Sequence, residues 1–285
     1  MSVAIRGNVA LRGNVWTGNN NIAEINSFIQ TTGATDTAGL IALATYISKQ
    51  GLWSSVRLFP FKAAQNIGTG NTVYGLGGWT SNNITLIGAS LPTWSTDGIT
   101  FNAVDNRGTW NATGIETLRD LYFFDIQRPV AASMADAQIF GVLSFGLNSD
   151  SRILLANHST SVLNGETTSF GLTLPGPTYR KAGSSTFTWS AGEKTQMTTQ
   201  FSASVGGLWK SKTAITLDKT TGTQSFSPVD ASYVTDSILN LNTFLGTAPS
   251  GYQGFVATTR VALLCCKVPL TTTQRETITD LLGAL

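Results

Sequence analysis

Catalysis calls for nucleophiles, bases, paired carboxylates or metal ligands, and this 285-residue chain is poor in all of them. Its single histidine is His158, in Leu155-Ala-Asn-His-Ser-Thr160. A Ser-His-Asp triad would use it as general base, with Ser144, Ser149 or Ser151 as nucleophile. None of these serines stands in a Gly-x-Ser-x-Gly elbow, because Gly141-Val-Leu-Ser-Phe-Gly146 has the wrong spacing. His158 reads instead as a turn residue. The two cysteines, Cys265 and Cys266, are neighbours in Arg260-Val-Ala-Leu-Leu-Cys-Cys-Lys-Val268. Successive side chains of a strand point to opposite faces, so the pair is expected to fill a buried strand rather than to bridge. Without a Cys-x-x-Cys there is no zinc-ribbon or thioredoxin-type site.

Glycoside hydrolysis with retention needs two carboxyl groups about 5–5.5 Å apart. The nearest groupings are Glu116 with Asp120 and Asp125, or Asp218 alone, and neither sets two carboxylates on one strand face. Oxygen ligands for calcium could come from Asn102, Asp105 and Asn106, or from Asn148 and Asp150. The same residues are ordinary turn formers, and no metal and no cofactor is expected. Gly68-Thr-Gly-Asn-Thr-Val-Tyr-Gly75 is glycine-rich, but it neither opens a helix nor carries the Lys-Ser/Thr pair of a phosphate loop. It reads as a turn at a strand end. The chain is therefore expected to be no enzyme.

Aromatic residues offer a different chemistry. Of seven tryptophans, Trp79, Trp94 and Trp110 lie in loop-like stretches, where an indole could stack on a sugar face and offer its N–H edge. The reading weighed against this one, and set ahead of it, is that the same three serve core or subunit contacts. Trp53, Trp189 and Trp209 lie in apolar patterns and read as core.

Composition limits the partners. Lys and Arg number 18 against 16 Asp and Glu, and charged residues make up 12% of the chain, about half the usual share of ~25%. Nucleic acid is not expected as a partner, since its capture needs clustered cations that displace phosphate counterions. No run of about 18 apolar residues is present, so no membrane span is expected. The opening Met-Ser-Val-Ala-Ile-Arg lacks a basic region followed by an apolar stretch, which suggests synthesis in the cytoplasm without a secretory leader. The sequons at Asn83, Asn111 and Asn157 carry little meaning in that setting.

Residues 1–20 hold a six-residue repeat, Ile5-Arg-Gly-Asn-Val-Ala10 followed by Leu11-Arg-Gly-Asn-Val-Trp16. It is too short for a solenoid. Ile5, Arg6, Val9, Leu11, Arg12, Val15 and Trp16 are read as an extended arm that docks on a partner or a sister subunit. Residues 21–52 carry two helical signals. Asn21 and Glu24 have capping-box spacing ahead of Ile22, Ile25 and Ile29; Leu40, Leu43, Ala44 and Ile47 form one stripe that Gly51 ends. From residue 53 to 268, short apolar runs alternate with turn clusters, the pattern of an all-β sandwich of two antiparallel sheets. Among these runs are 83–87, 98–101, 120–126, 138–145, 152–156, 169–174, 185–189, 196–201 and 254–268. Thr271 and Gln274 then form a capping box for a last helix bearing Ile278, Leu281 and Leu282.

The stretch from Leu245-Gly-Thr-Ala-Pro-Ser-Gly-Tyr to Arg260-Val-Ala-Leu-Leu264, followed by Leu270-Thr-Thr-Thr-Gln274, resembles the closing strand and helix of concanavalin A-like (laminin G-like) jelly rolls. The hairpin Gly207-Leu-Trp-Lys-Ser-Lys-Thr-Ala-Ile-Thr-Leu217 is similar to the segment that precedes them. Leu43 to Phe61 and Asp97-Gly-Ile-Thr-Phe101 look like the entry segment found in phage and prophage virion proteins. The resemblance implies an all-β concanavalin A-like jelly roll over residues 53–285, with short N-terminal helices, the arm and a short C-terminal helix. It also implies a phage virion structural protein, a surface decoration or short appendage anchored by the arm, homo-oligomeric (a trimer fits) and in contact with other virion proteins. The alternative it carries is a receptor-recognition domain that binds a host surface glycan. Glycanases of this fold carry a Glu-x-Asp-x-x-Glu array, which this chain lacks.

Overall fold

A computed structural model describes residues 20–102, 106–113, 121–129, 139–145, 153–159, 168–171, 183–185, 192–201, 206–214, 238–241 and 258–285. Two helices come first, α1 (Asn20–Thr32) and α2 (Ala38–Lys49). Sixteen described strands follow: β1 (Val56–Pro60), β2 (Thr72–Val73), β3 (Ile84–Ile87), β4 (Thr93–Ser95), β5 (Gly98–Phe101), β6 (Arg107–Asn111), β7 (Leu121–Pro129), β8 (Ile139–Phe145), β9 (Ile153–Ser159), β10 (Thr168–Gly171), β11 (Gly183–Ser185), β12 (Thr195–Phe201), β13 (Gly206–Lys210), β14 (Thr213–Ala214), β15 (Ile238–Leu241) and β16 (Thr258–Cys266). Helix α3 (Thr272–Gly283) closes the chain.

The described strands form two antiparallel sheets. The first runs β14-β13-β12-β7-β16-β5-β4, with β1 also on β16; the second runs β11-β10-β9-β8-β15-β6-β3-β2. β16 organises the first sheet. One flank pairs with β7 along its length, while the other pairs with β5 at Thr258–Arg260 and with β1 at Ala262–Cys266. The change of neighbour falls at a register shift between Arg260 and Ala262, a bulge that lets one strand serve two partners. All nine residues of β16 are buried, which explains its almost unbroken apolar run.

Alternation sorts the two faces of the first sheet. Tyr122, Phe124 and Ile126 of β7, with Ala262, Leu264 and Cys266 of β16, join one cluster with Ile25 and Phe28 of α1, Leu40, Leu43, Ala44 and Ile47 of α2, and Ile278 and Leu282 of α3. The helices therefore cover the outer face. The opposite face looks into the sandwich, where Trp110 of β6 meets Phe59 of β1 edge-to-face, ring centres 5.1 Å apart.

The first two helices are packing helices, as the periodicity predicts, with two differences. Ile22 is exposed rather than part of the apolar stripe. The capping box expected of Asn21 and Glu24 gives way to contacts across layers: the Asn21 side-chain amide donates to Ser48 Oγ (3.0 Å) and Glu24 turns to Trp53 and Gly77. At α3 the capping box forms as expected. Gln274 N donates to Thr271 Oγ1 and Thr271 N to Gln274 Oε1. Thr271→Ala should lower stability by about 1 kcal/mol, read from the urea midpoint.

Strands β1, β2, β4, β6 and β15 are additions to the sequence reading. Pro60 and Arg57 disguise β1, and the other four, two to five residues long, are too short to show an alternation. His158 is a correction: it sits within β9, opposite Ile139 and Ser169, and not in a turn. Pairing of Ser159 with Thr168 carries the strand past the point where apolar residues stop.

Both cysteines are free and buried, Cys266 on the helix side of β16 and Cys265 on the other. Burial pushes the Cys265 thiol well above its ordinary value, and it raises Cys266 to about 11 against the opposing pull of backbone hydrogen bonding at Val268 and of the Lys267 charge. The unfolded chain would release these protons first. Stability should therefore fall as pH rises above the ordinary thiol pKa of about 8.5. Neither thiol should react with iodoacetamide at pH 8 in the native protein, whereas both should react in urea.

Candidate functional site

Trp110 is fully buried, packed edge-to-face against both Phe59 and Trp79 (5.2 Å). Trp79 is 7% exposed, with its indole N–H on Thr113 O (3.3 Å) and the Lys267 ammonium 5.5 Å from its ring. Neither presents a face to a sugar, which corrects the reading of these two as glycan contacts. The cause lies in two residues whose partners are distant in the sequence. Arg57 of β1 donates to Gly77 O (2.8 Å), Asn82 O (3.1 Å) and Asn83 Oδ1 (3.2 Å), drawing the loop 75–83 onto the sheet. Glu24 of α1 accepts from Trp53 Nε1 (2.8 Å) and Gly77 N (3.2 Å). Burial lowers the Arg57 pKa to about 10, partly offset by Glu24. Gly77 has φ +113°, and a Cβ there would lie 2.5 Å from Val56 O, so the loop can come this close only with glycine.

Trp94 differs. It lies on β4, the last described strand at its end of the first sheet, and is half-buried. Its indole N–H donates to Gly70 O (3.0 Å), which leaves the ring, not the N–H edge, to meet a ligand. The loop holding Gly70 is built to reach it. Buried Asn66 donates its amide to Pro60 O and Tyr74 O and accepts from Ile67 N and Tyr74 N, closing the loop at its base. Gly68 and Gly70, both left-handed at φ +72° and +74°, turn it. Exposed Ile67 and Asn71 lie on this loop, and exposed Leu91 and Thr93 lead into Trp94. The edge thus combines a fixed indole with apolar and hydroxyl groups open to solvent. Asn66→Ala would unpair four backbone groups and should cost about 1–3 kcal/mol, with hydrogen exchange rising across residues 66–74.

The other candidates divide. Ile5, Arg6, Val9, Leu11, Arg12, Val15 and Trp16 lie outside the described residues, as do Glu116, Asp120, Asp218, Ser149, Ser151, Trp189, Asp105, Asn148 and Asp150. Asn106 is buried and spends its side-chain oxygen on Asn102 N (3.1 Å). Trp209 is half-buried beneath the Arg275 guanidinium, 4.1 Å from its ring. Among the described residues, no three His, Cys, Asp or Glu side chains gather as a metal site.

Asp125 stands alone among the predicted carboxylates in having a described partner. On β7 it faces the sandwich interior, and both of its oxygens accept from Arg260 Nη1 at 2.7 Å. Arg260 is fully buried. Burial raises the Asp125 carboxyl above its usual range, against the pull of Arg260. The pair ties β7 to β16 beside the bulge.

No family model and no curated protein matches the chain in sequence. Solved structures match in fold. A structure of botulinum neurotoxin type C, whose cell entry depends on interaction with two ganglioside molecules, superposes with TM-score 0.55 at 8% identity, over 82% of this chain and 53% of that one. Trypanosoma rangeli sialidase in complex with sialic acid gives 0.52 at 11% identity, over 80% and 33%. The botulinum neurotoxin serotype D binding domain gives 0.50 at 8%, over 81% and 52%. The fold is a jelly-roll β-sandwich. The chain spans about a third of the sialidase's length and about half of the toxin chains', and at such identities the likeness is one of fold alone.

These matches correct one expectation. A sandwich of this kind occurs in a sialidase, so the missing carboxylate array is no ground for declaring the chain inactive. The expected place in a virion draws no support from them.

Proposed function

We propose that this jelly roll is a glycan-recognition domain, holding a saccharide at the β4 edge against the ring of Trp94. The carrying observation is the state of that indole: pinned through its N–H to Gly70 and half-buried, at the margin of a sheet, while Trp79 and Trp110 are consumed by the core. A sugar's apolar face gains from an aromatic platform already fixed in place, because little side-chain entropy is lost on binding. The exposed Asn71 side-chain amide can exchange donor and acceptor roles with sugar hydroxyls. Fold likeness to a toxin that interacts with gangliosides and to a sialidase complexed with sialic acid adds support of a general kind.

A glycan array probed with the purified protein should show binding to a restricted set of glycans. Trp94→Ala should weaken that binding by at least tenfold, about 1.4 kcal/mol, with the urea midpoint unchanged. Retention of full binding by the Trp94→Ala protein would overturn the assignment.

A further inference from the structure

The outer face of the first sheet carries a row of polar side chains just beyond the cover of the helices. Arg128 on β7 stands opposite Thr259 on β16, Thr259 opposite Thr100 on β5, and Thr100 opposite Thr93 on β4. Lys194 directly precedes Thr195, which pairs with Gln127, so Lys194 leads in beside Arg128. Residues opposite one another across strands share a face and lie about 5 Å apart. The row thus reads cation, cation, hydroxyl, hydroxyl, hydroxyl, from the residue ahead of β12 across β7, β16, β5 and β4.

Two like charges side by side on neighbouring strands are destabilising, and a third cation adds to them. Burial lowers the Lys194 pKa, and Lys62 and Arg128 lower it further. Described partners satisfy the cluster only in part. Lys194 Nζ donates to Gly283 O (2.8 Å) and Lys62 Nζ to Leu285 O, both at the carbonyl end of α3. Among the described residues, Arg128 meets one carboxylate, the largely exposed Asp97 at 3.6 Å, and its buried Nε has no hydrogen-bond partner. Thr259 and Thr100 share a hydrogen bond of 2.8 Å between their hydroxyls. Every member of the row from Lys194 to Thr93, except the buried Thr259, keeps some exposure.

From this juxtaposition we infer a second subsite for the glycan proposed above: Lys194 and Arg128, backed by Lys62, take a carboxylate of an acidic saccharide whose hydroxyls run along Thr100, which buried Thr259 holds in place, and Thr93. The inference rests on the glycan reading and names its chemical class. Thr93 neighbours Trp94 on β4, with its side chain on the other face, so one chain could wrap this edge and meet both sites. Sugar, rather than a free ion, is indicated by the hydroxyls that extend the row away from the cations.

The test uses oligogalacturonate, the same oligomer with its carboxyls reduced to alcohols, and inorganic sulfate, each titrated calorimetrically at low and at 0.5 M salt. The acidic oligomer should bind the wild type at least tenfold more tightly than the reduced one, with the gap closing at high salt. Lys194→Gln and Arg128→Gln should each remove most of that gap, leave the reduced oligomer unaffected and leave the fold at least as stable, since a repulsion is relieved. Trp94→Ala should weaken both oligomers alike. Equal affinity for the two oligomers, or a preference that survives the Lys194→Gln/Arg128→Gln pair, overturns the subsite while leaving the Trp94 reading standing. Sulfate matching the acidic oligomer would show a free-ion site and overturn it as well. Binding of neither oligomer overturns the acidic subsite and leaves the Trp94 site to the glycan array.

Discussion

Arg260→Met is expected to destabilise the protein by about 3–5 kcal/mol, a large share of the 5–15 kcal/mol that holds a typical domain together. Arg260 is fully buried and both Asp125 oxygens depend on its Nη1. Removing the guanidinium leaves a carboxyl facing the sandwich interior with its main compensating charge gone. Protonation of Asp125 then becomes the cheapest escape, so the variant's stability should rise as pH falls toward the ordinary carboxyl range, because a buried carboxyl with a raised pKa takes up its proton before the unfolded chain does. Coupled to this is the double replacement Asp125→Leu/Arg260→Met. Apolar residues in place of a whole buried pair are often tolerated, and most of the lost stability should return. Urea unfolding of the two single variants and the double one measures the coupling directly. Additive losses would mean that the pair does not act as a unit.

Trp110→Ala should cost a similar amount, about 3–5 kcal/mol, for a different reason. Its indole fills the space between the sheets and touches Phe59 and Trp79, so truncation opens a cavity whose walls belong to two sheets and cannot all relax inward. Trp94→Ala, on a half-buried edge, should shift the urea midpoint little. The contrast separates a tryptophan that supports the sandwich from one free to serve a ligand. Equal losses for both would show that Trp94 is a core residue too, and the glycan site would lose its anchor.

Strands with long apolar runs were legible in the sequence because burial on both faces writes itself into composition; β16 and β7 are of this kind. The helical stripe of α2 and the cap of α3 were legible because each depends on residues three or four apart. Short strands were not. β4 is Thr-Trp-Ser and β2 is Thr-Val, and pairing, which involves distant residues, is what makes them strands. The tryptophans failed for the same reason. Glycine-rich surroundings made Trp79 look exposed, but a loop's height above a sheet is set by what pulls it down, here Arg57 and Glu24, 22 and 55 residues earlier. Conversely, the cation row of Lys194 and Arg128 has no local pattern, since β12 and β7 meet only through the sheet register. Its members could be found only once that register was known.

The most direct measurement follows the tryptophan indole N–H signals by NMR while a glycan selected on the array is titrated in. The Trp94 signal should move in step with saturation while those of Trp79 and Trp110 stay in place. A Trp94 signal that remains fixed through saturation, with the glycan bound elsewhere, would contradict it.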